Sequence, residues 1–146
     1  MDINNMKKLG LDKKLFYDMI KDVNEKMGYN LSIYQSYFNA VKIADKYLET
    51  ELYIKFNPKL GIIISNIHLK DKRIGLGTFI LNAIKDICRK NDIKTITIEN
   101  ALTLEMVSFC RKHNFNQIMD LFGNKIGLNS NDGYSELGTY SLEVLS

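Results

Sequence analysis

The chain has 146 residues, of which 45% are hydrophobic and 25% are charged. This length and composition are typical of one globular domain, here residues 1–146, and they exclude a disordered or low-complexity chain. Twenty Lys and Arg against 17 Asp and Glu give a net charge of +3. This mild excess permits a polyanionic partner without requiring one.

The cysteines and the apolar segments of the sequence indicate the cellular compartment of the protein. Cys88 and Cys110 have neither CxxC spacing nor the paired histidines of a zinc site, so we expect reduced thiols and no metal. The N-terminal sequence lacks the apolar segment of a signal peptide, and the apolar run at residues 62–64 is far too short to span a bilayer. These observations predict a cytoplasmic protein that is not bound to a membrane.

Hydrophobic spacing predicts the first elements of the chain. A helix is predicted over residues 15–27, with Asp12 as its N-cap and Gly28 just past its end. Residues 32–48 fit a second helix, while residues 41–47 would equally fit a short strand. We predict the helix for this segment.

The rest of the chain alternates strands and helices. Residues 52–56 alternate apolar and polar side chains, and residues 61–69 are β-branched and apolar, which predicts a hairpin with a buried second strand. The further predicted elements are a helix over 76–88, a strand over 94–99, a helix over 103–113, a strand over 115–122 and a closing strand over 140–144. A Gly-, Asn- and Ser-rich loop separates the last two strands. Strand, helix, strand, helix is typical of an α/β protein.

The turn between the buried strand and the next helix has the chemistry of an anion site. Gly75 and Gly77 allow backbone N–H groups to approach a ligand, and a helix N-terminus favours a phosphate. Lys70, Lys72 and Arg73 add positive charge there. The GxxxxGK[ST] loop and the third glycine of a dinucleotide fingerprint are both absent. The residues predict a phosphate or pyrophosphate ligand, with a tight turn that binds nothing as the alternative.

Residues 60–115 resemble the GNAT superfamily of N-acetyltransferases in two motifs. The family motif [QR]xxGx[GA] is similar to Lys72-Arg73-Ile74-Gly75-Leu76-Gly77, with Lys in place of Gln or Arg. The family motif "lYeklGF" at the end of a helix is similar to Phe109-Cys110-Arg111-Lys112-His113-Asn114-Phe115. The resemblance implies an α/β fold in which helices flank a mixed, mostly antiparallel central sheet.

The resemblance also implies an acyl-CoA site. In the family the two central parallel strands splay apart, the pantetheine arm lies between them, and acetyl-CoA donates its acetyl group directly to an amine. Transferred to this chain, the cofactor-binding residues are the end of the first central strand, the following loop and the first helical turn. These are Ile67, His68, Leu69, Lys72, Arg73, Ile74, Gly75, Leu76, Gly77 and Thr78.

Three residues are predicted to act in catalysis. The family's Tyr, which protonates the departing thiolate of CoA, aligns with Cys110, whose thiol is either a general acid or an inert core side chain. His68 and Glu99 end the two central strands and are the candidates for the general base, with an ordinary strand end as the alternative for each. His113 is predicted to be a surface histidine that complements a helix dipole.

The sequence therefore predicts an acetyl-CoA-dependent N-acetyltransferase whose acceptor is a small-molecule or peptide amine. A catalytically degenerate CoA-binding or regulatory protein stays open because Cys110 replaces Tyr. An enzyme acting on aminoacyl-tRNA also stays open, although only the lysine excess suggests a nucleic acid. A homodimer would not be surprising.

A group of aromatic side chains near the N-terminus is predicted to be core, with a wall of the acceptor pocket as the alternative: Tyr29, Tyr34, Tyr37 and Phe38.

Overall fold

The computed structural model describes residues 13–58, 60–69, 75–101, 103–118 and 138–144. The strands are β1 (Ser32–Tyr37), β2 (Ala40–Ala44), β3 (Glu51–Asn57), β4 (Gly61–His68), β5 (Thr95–Ala101), β6 (Asn116–Gln117) and β7 (Gly138–Glu143). The helices are a 3-10 turn (Lys13–Phe16), α1 (Tyr17–Met27), α2 (Leu76–Lys90) and α3 (Leu104–Lys112). The described strands form one sheet in the order β1-β2-β3-β4-β5-β7-β6.

The sheet is mixed and mostly antiparallel. Among the described strands, β4 and β5 form the one parallel pair, and α2 is the crossover that joins them. Every other described pair is antiparallel. The predicted fold class is therefore confirmed, and so is the predicted hairpin of β3 and β4.

The first helix ends where its sequence predicts. Gly28 follows α1 with φ 72°, a left-handed conformation that glycine adopts without steric cost. The Asn24 side chain then fixes the entry to β1, because it donates to the Leu31 carbonyl at 3.0 Å and accepts from the Leu31 N–H at 2.7 Å. Asp12, the predicted N-cap, lies outside the described residues.

The helix predicted over residues 32–48 is wrong, because this segment forms the β1–β2 hairpin. Tyr37 pairs with Ala40 across a tight turn, and β2 continues antiparallel to β1. Both faces of β2 are buried, since Val41 and Ile43 lie in the core cluster while Ala40 on the other face is 7% exposed. A strand buried on both faces lacks the alternation that distinguishes it from a helix.

One hydrophobic cluster joins the sheet to all three helices. The helix α2 contributes its whole buried face to it: Leu76, Ile80, Leu81, Ile84, Ile87 and Cys88. At the base of the parallel pair, Gly61 has φ 72°, and a Cβ there would lie 2.8 Å from the Thr95 carbonyl carbon. Glycine therefore allows β4 to begin in close contact with β5.

The C-terminal part of the described chain completes the sheet. The strand predicted over residues 115–122 is present as the two-residue β6, and residues 119–122 lie outside the described chain. The predicted closing strand is confirmed as β7, which lies between β5 and β6. None of the described helices is long and apolar enough to cross a membrane.

Candidate functional site

The two parallel strands separate part of the way along their length. Their register pairs Ile62 with Ile96, Ile63 with Thr97, and Ile64 with Ile98, and the pairing ends there. Beyond that point β4 continues to His68 against β3, and β5 continues to Ala101 against β7. The centre of the sheet therefore opens between the second half of β4 and the second half of β5.

A bulge in each strand accounts for this separation. On β4 the register against β3 shifts by one residue at Ser65, because Ile54 pairs with Ile64 whereas Tyr53 pairs with Asn66. On β5 the register against β7 shifts between Ile98 and Ala101. Bulges bend a strand and increase its twist. Since both lie just past the last β4–β5 pair, each strand turns away from the other at the same level.

The end of β4 places its three predicted cofactor-binding residues differently. Ile67 pairs with Leu52 and packs, half-buried, against the core cluster. His68 is exposed and lies opposite Glu51. Leu69 is half-buried and follows the strand directly. Their contact with a cofactor stays a prediction.

The start of α2 provides backbone donors that no acceptor within the helix uses. Gly75 lies at the N-cap with φ 79° and offers no side chain to cap the helix. The Phe79 N–H donates to the Gly75 carbonyl at 3.0 Å, the first bond of the helix. The N–H groups of Leu76, Gly77 and Thr78 therefore have no acceptor within the helix and can bind an anion. Four further predicted loop residues lie outside the described chain: Lys70, Lys72, Arg73 and Ile74.

Gly77 is the point where α2, α3 and the end of β4 meet. A Cβ at this position would lie 3.1 Å from Phe109 Cε2 and 3.5 Å from Leu69 Cδ1. A larger residue would therefore require the Phe109 ring to move. Glycine is therefore required at the two positions of the motif for different reasons. Gly75 adopts a left-handed conformation, and Gly77 leaves space for the Phe109 ring.

His113 contacts the first turn of α2. Its Nε2 lies 3.2 Å from Thr78 Oγ1, and its ring centroid lies 4.5 Å from that of Phe109. Partial burial lowers the pKa of His113, and the nearby Lys112 and Lys85 ammonium groups lower it further. The structure places His113 at the C-cap of α3, as predicted, but half-buried against α2, and its role in complementing the helix dipole stays a prediction. The sequence signal that could have found the contact is the i, i+4 spacing of Phe109 and His113 on one side of α3.

Cys110 lies on a different side of α3. Its side chain is 0% exposed and belongs to the core cluster. Burial raises the pKa of the Cys110 thiol from 9.0 to about 12, so the thiol releases its proton less readily. The role of general acid stays a prediction, and the burial favours the alternative of an inert core side chain.

Glu99 is the first residue of β5 past the last β4–β5 pair, and it forms an ion pair. Its carboxylate oxygens lie 3.1 Å and 3.5 Å from Lys55 Nζ on β3, so the pair spans the width of β4. The two side chains are 34% and 36% exposed, respectively. The Glu99 carboxylate is thus paired with Lys55 in this structure, and its role as the general base stays a prediction. Sequence reasoning missed Lys55 because the contact depends on the register of three strands.

The aromatic side chains near the N-terminus are mostly not core, contrary to the prediction. Tyr29 packs against the core cluster. Tyr34, Tyr37 and Phe38 are more than half exposed on β1 and its turn.

In the described part of the chain, no group of three or more His, Cys, Asp or Glu side chains could hold a metal ion.

Comparison with known proteins identifies the fold. No family model matches the chain, and no curated protein matches it. Among solved structures, a presumed acyl-CoA N-acyltransferase from Klebsiella pneumoniae subsp. pneumoniae MGH 78578 has a TM-score of 0.52 at 11% identity, over 91% of this chain and 92% of that one. A GNAT-family acetyltransferase from Staphylococcus aureus Mu50 has a TM-score of 0.47 at 10% identity, over 92% and 81%. On the first of these likenesses, the chain has the GNAT-like fold that its two motifs imply.

Proposed function

We propose that the chain is an acyl-CoA-dependent N-acyltransferase that transfers an acetyl group from acetyl-CoA to a primary amine. The observation that supports this most is the separation of β4 and β5 beyond Ile64 and Ile98, next to a helix whose first-turn N–H groups have no acceptor within the helix. Leu69 at the end of β4 lies against Gly77 in that first turn. A ligand with a phosphate at one end and an extended arm fits this arrangement.

Two regions of the chain would contact different parts of the ligand. In the proposal, the N–H groups of Leu76, Gly77 and Thr78 bind the pyrophosphate of CoA, with Lys72 and Arg73 adding charge. The arm lies along the end of β4, where Ile67, His68 and Leu69 follow the bulge. Acetyl-CoA supplies an activated acyl group, and no metal is required for the transfer.

The transfer itself is a direct displacement at the thioester. The acceptor nitrogen attacks the carbonyl carbon, a C–N bond forms, the C–S bond breaks, and the amine loses one proton. Glu99 or His68 accepts that proton, and CoA leaves as a thiolate that is protonated by Cys110 or by water. Catalysis then depends chiefly on positioning and on backbone donors near the carbonyl oxygen.

Binding and turnover test this proposal separately. Acetyl-CoA at about 100 times its Kd is expected to stabilise the protein by about 2.7 kcal/mol, which a thermal-shift assay measures. Pantetheine without the nucleotide is the matched control and is expected to stabilise it far less. Release of the CoA thiol is then followed against a panel of small amines and peptides. If millimolar acetyl-CoA gives neither a thermal shift nor a calorimetric heat, the proposal is wrong.

The burial of Cys110 supports a second candidate, a CoA-binding protein that does not catalyse transfer. An enzyme whose general acid is fully buried with a pKa of about 12 has a poor proton donor at that position. In this case acetyl-CoA binds, but no amine accelerates thiol release. A lower kcat in Cys110→Ala than in the wild type, with unchanged affinity for acetyl-CoA, would instead support the enzyme.

A further inference from the structure

The pair formed by Thr78 and His113 connects α3 to the turn that the proposed function assigns to phosphate. Thr78 lies in the first turn of α2, and its Oγ1 is 3.2 Å from His113 Nε2. The His113 ring packs on Phe109 at 4.5 Å between centroids, which holds the imidazole in place. The Phe109 ring in turn lies beside Gly77 in the same first turn, where a Cβ would be 3.1 Å from Phe109 Cε2. A titratable group is therefore held one hydrogen bond away from the first turn of α2.

We propose that His113 is a positioning residue for the phosphate of the ligand. Its Nε2–H donates to Thr78 Oγ1, and the Thr78 hydroxyl then donates its own hydrogen to a phosphate oxygen. This inference rests on the proposed function, because it concerns the same ligand.

The direction of the hydrogen bonds follows from the donor count of a hydroxyl. A threonine hydroxyl has one hydrogen and two lone pairs. If Thr78 donates to His113, only lone pairs face an anion in the first turn, which is repulsive. If His113 donates, the Thr78 hydrogen is free for the phosphate. An anion therefore favours the forms of His113 that carry a hydrogen on Nε2, namely one neutral tautomer and the imidazolium.

The surrounding charges make this arrangement sensitive to the ligand. Among the described residues, the charged groups that act on His113 are Lys85 on α2 and Lys112 on α3. Together with partial burial they lower the pKa of His113 below 6.5 in the free protein. A bound phosphate offsets both ammonium charges and favours the imidazolium, so binding takes up a proton. The added affinity is full below the free-state pKa and is lost as the pH rises through the bound-state pKa.

Calorimetry over a range of pH tests the inference. Acetyl-CoA is titrated between about pH 5.5 and 8 into the wild type and into His113→Gln, whose amide still donates but does not titrate. The comparison between proteins cancels the titration of the phosphates of the ligand itself. The wild type is expected to gain affinity relative to the variant as the pH falls, by about tenfold for each unit by which binding raises the pKa. Parallel pH profiles for the two proteins would overturn the inference.

Two further measurements separate a positioning role from a purely structural one. Thr78→Ser keeps the hydroxyl and is expected to retain the wild-type pH profile, whereas Thr78→Val removes the donor to phosphate and is expected to weaken binding at least as much as His113→Phe. The double variant Thr78→Val/His113→Phe is expected to lose no more affinity than Thr78→Val alone, because His113 acts through the Thr78 hydroxyl. Additive losses would contradict this.

Proton NMR tests the inference on the wild-type protein, so the result does not depend on whether a variant folds. The chain has two histidines, His68 and His113, so their ring signals are readily followed with pH. Saturating acetyl-CoA is expected to raise the pKa of His113, and an unchanged value contradicts the inference. If the wild type does not bind acetyl-CoA at all, the proposed function fails instead, and the two failures are distinguishable.

Discussion

Gly75 offers a sharp test of where the phosphate binds. It lies at the N-cap of α2 with φ 79°, and a Cβ built there meets no atom of the described residues within 4 Å. A side chain at this position therefore has space among the described residues, beside the first-turn donors. Asp and Asn have nearly the same shape, and both tolerate the left-handed conformation better than most residues. Gly75→Asp and Gly75→Asn consequently differ in one negative charge.

Backbone strain and Coulomb's law set the expected magnitudes. Each variant loses about 1–2 kcal/mol of stability to the left-handed backbone, and the two losses should be nearly equal. A carboxylate about 6 Å from one phosphate charge costs between about 0.7 kcal/mol at the dielectric constant of water and about 2.8 kcal/mol at an effective value near 20. The Asp variant is therefore expected to bind acetyl-CoA about 3- to 100-fold more weakly than the Asn variant.

Isothermal titration calorimetry at two ionic strengths measures this ratio. The ratio should shrink with added salt, because the screening length falls from about 30 Å at 0.01 M to about 8 Å at 0.15 M. Thermal unfolding of the two variants without ligand checks that they are equally folded. If acetyl-CoA binds both variants with the same affinity at low salt, the phosphate does not lie at this helix terminus, and the assignment of the loop is refuted.

Three other predictions concern stability. Gly61→Ala is expected to lower the urea midpoint strongly, because its Cβ would lie 2.8 Å from the Thr95 carbonyl carbon, and an unchanged midpoint contradicts this. Gly77→Asp would place a carboxylate against apolar side chains, so it should be less stable than Gly77→Ala by about 1–3 kcal/mol in the same assay. Burial raises the thiol pKa of Cys88 and Cys110 from 9.0 to about 12, so stability should fall as the pH rises from 9.0 toward 12. That slope should be smaller when both cysteines are replaced by Ala.

The elements that sequence reasoning predicted correctly are those whose buried residues recur with the period of a helix or a strand. In α2 the buried residues recur with helical period on one face, and β3 alternates between half-buried and buried positions over residues 51–56. The β1–β2 hairpin lacks such a signal. Five of the six residues of β1 are exposed at the edge of the sheet, while β2 is buried on both faces. The apolar side chains of residues 32–48 then match a helical spacing by coincidence.

The candidate site was predictable where a backbone motif defines it. The glycine pair at Gly75 and Gly77 marks the start of α2 in both sequence and structure. Alignment of a helical motif gives the identity of a residue but not the side of the helix it occupies. Phe109 and His113 face α2, whereas Cys110, about 100° further around α3, faces the core. The phase of α3 therefore decides which of its residues approach the proposed ligand.

The two separated strands stay ordered because each keeps its outer partner. On their outer edges, β4 remains paired with β3 as far as His68, and β5 remains paired with β7 as far as Ala101. On their inner edges, the backbone groups beyond Ile64 and Ile98 have no strand partner in the described part of the chain. Buried backbone groups require hydrogen-bond partners, which water or a ligand with amide groups supplies. The arm in the proposed function would thus replace a missing strand interaction, within a framework that both outer strands keep rigid.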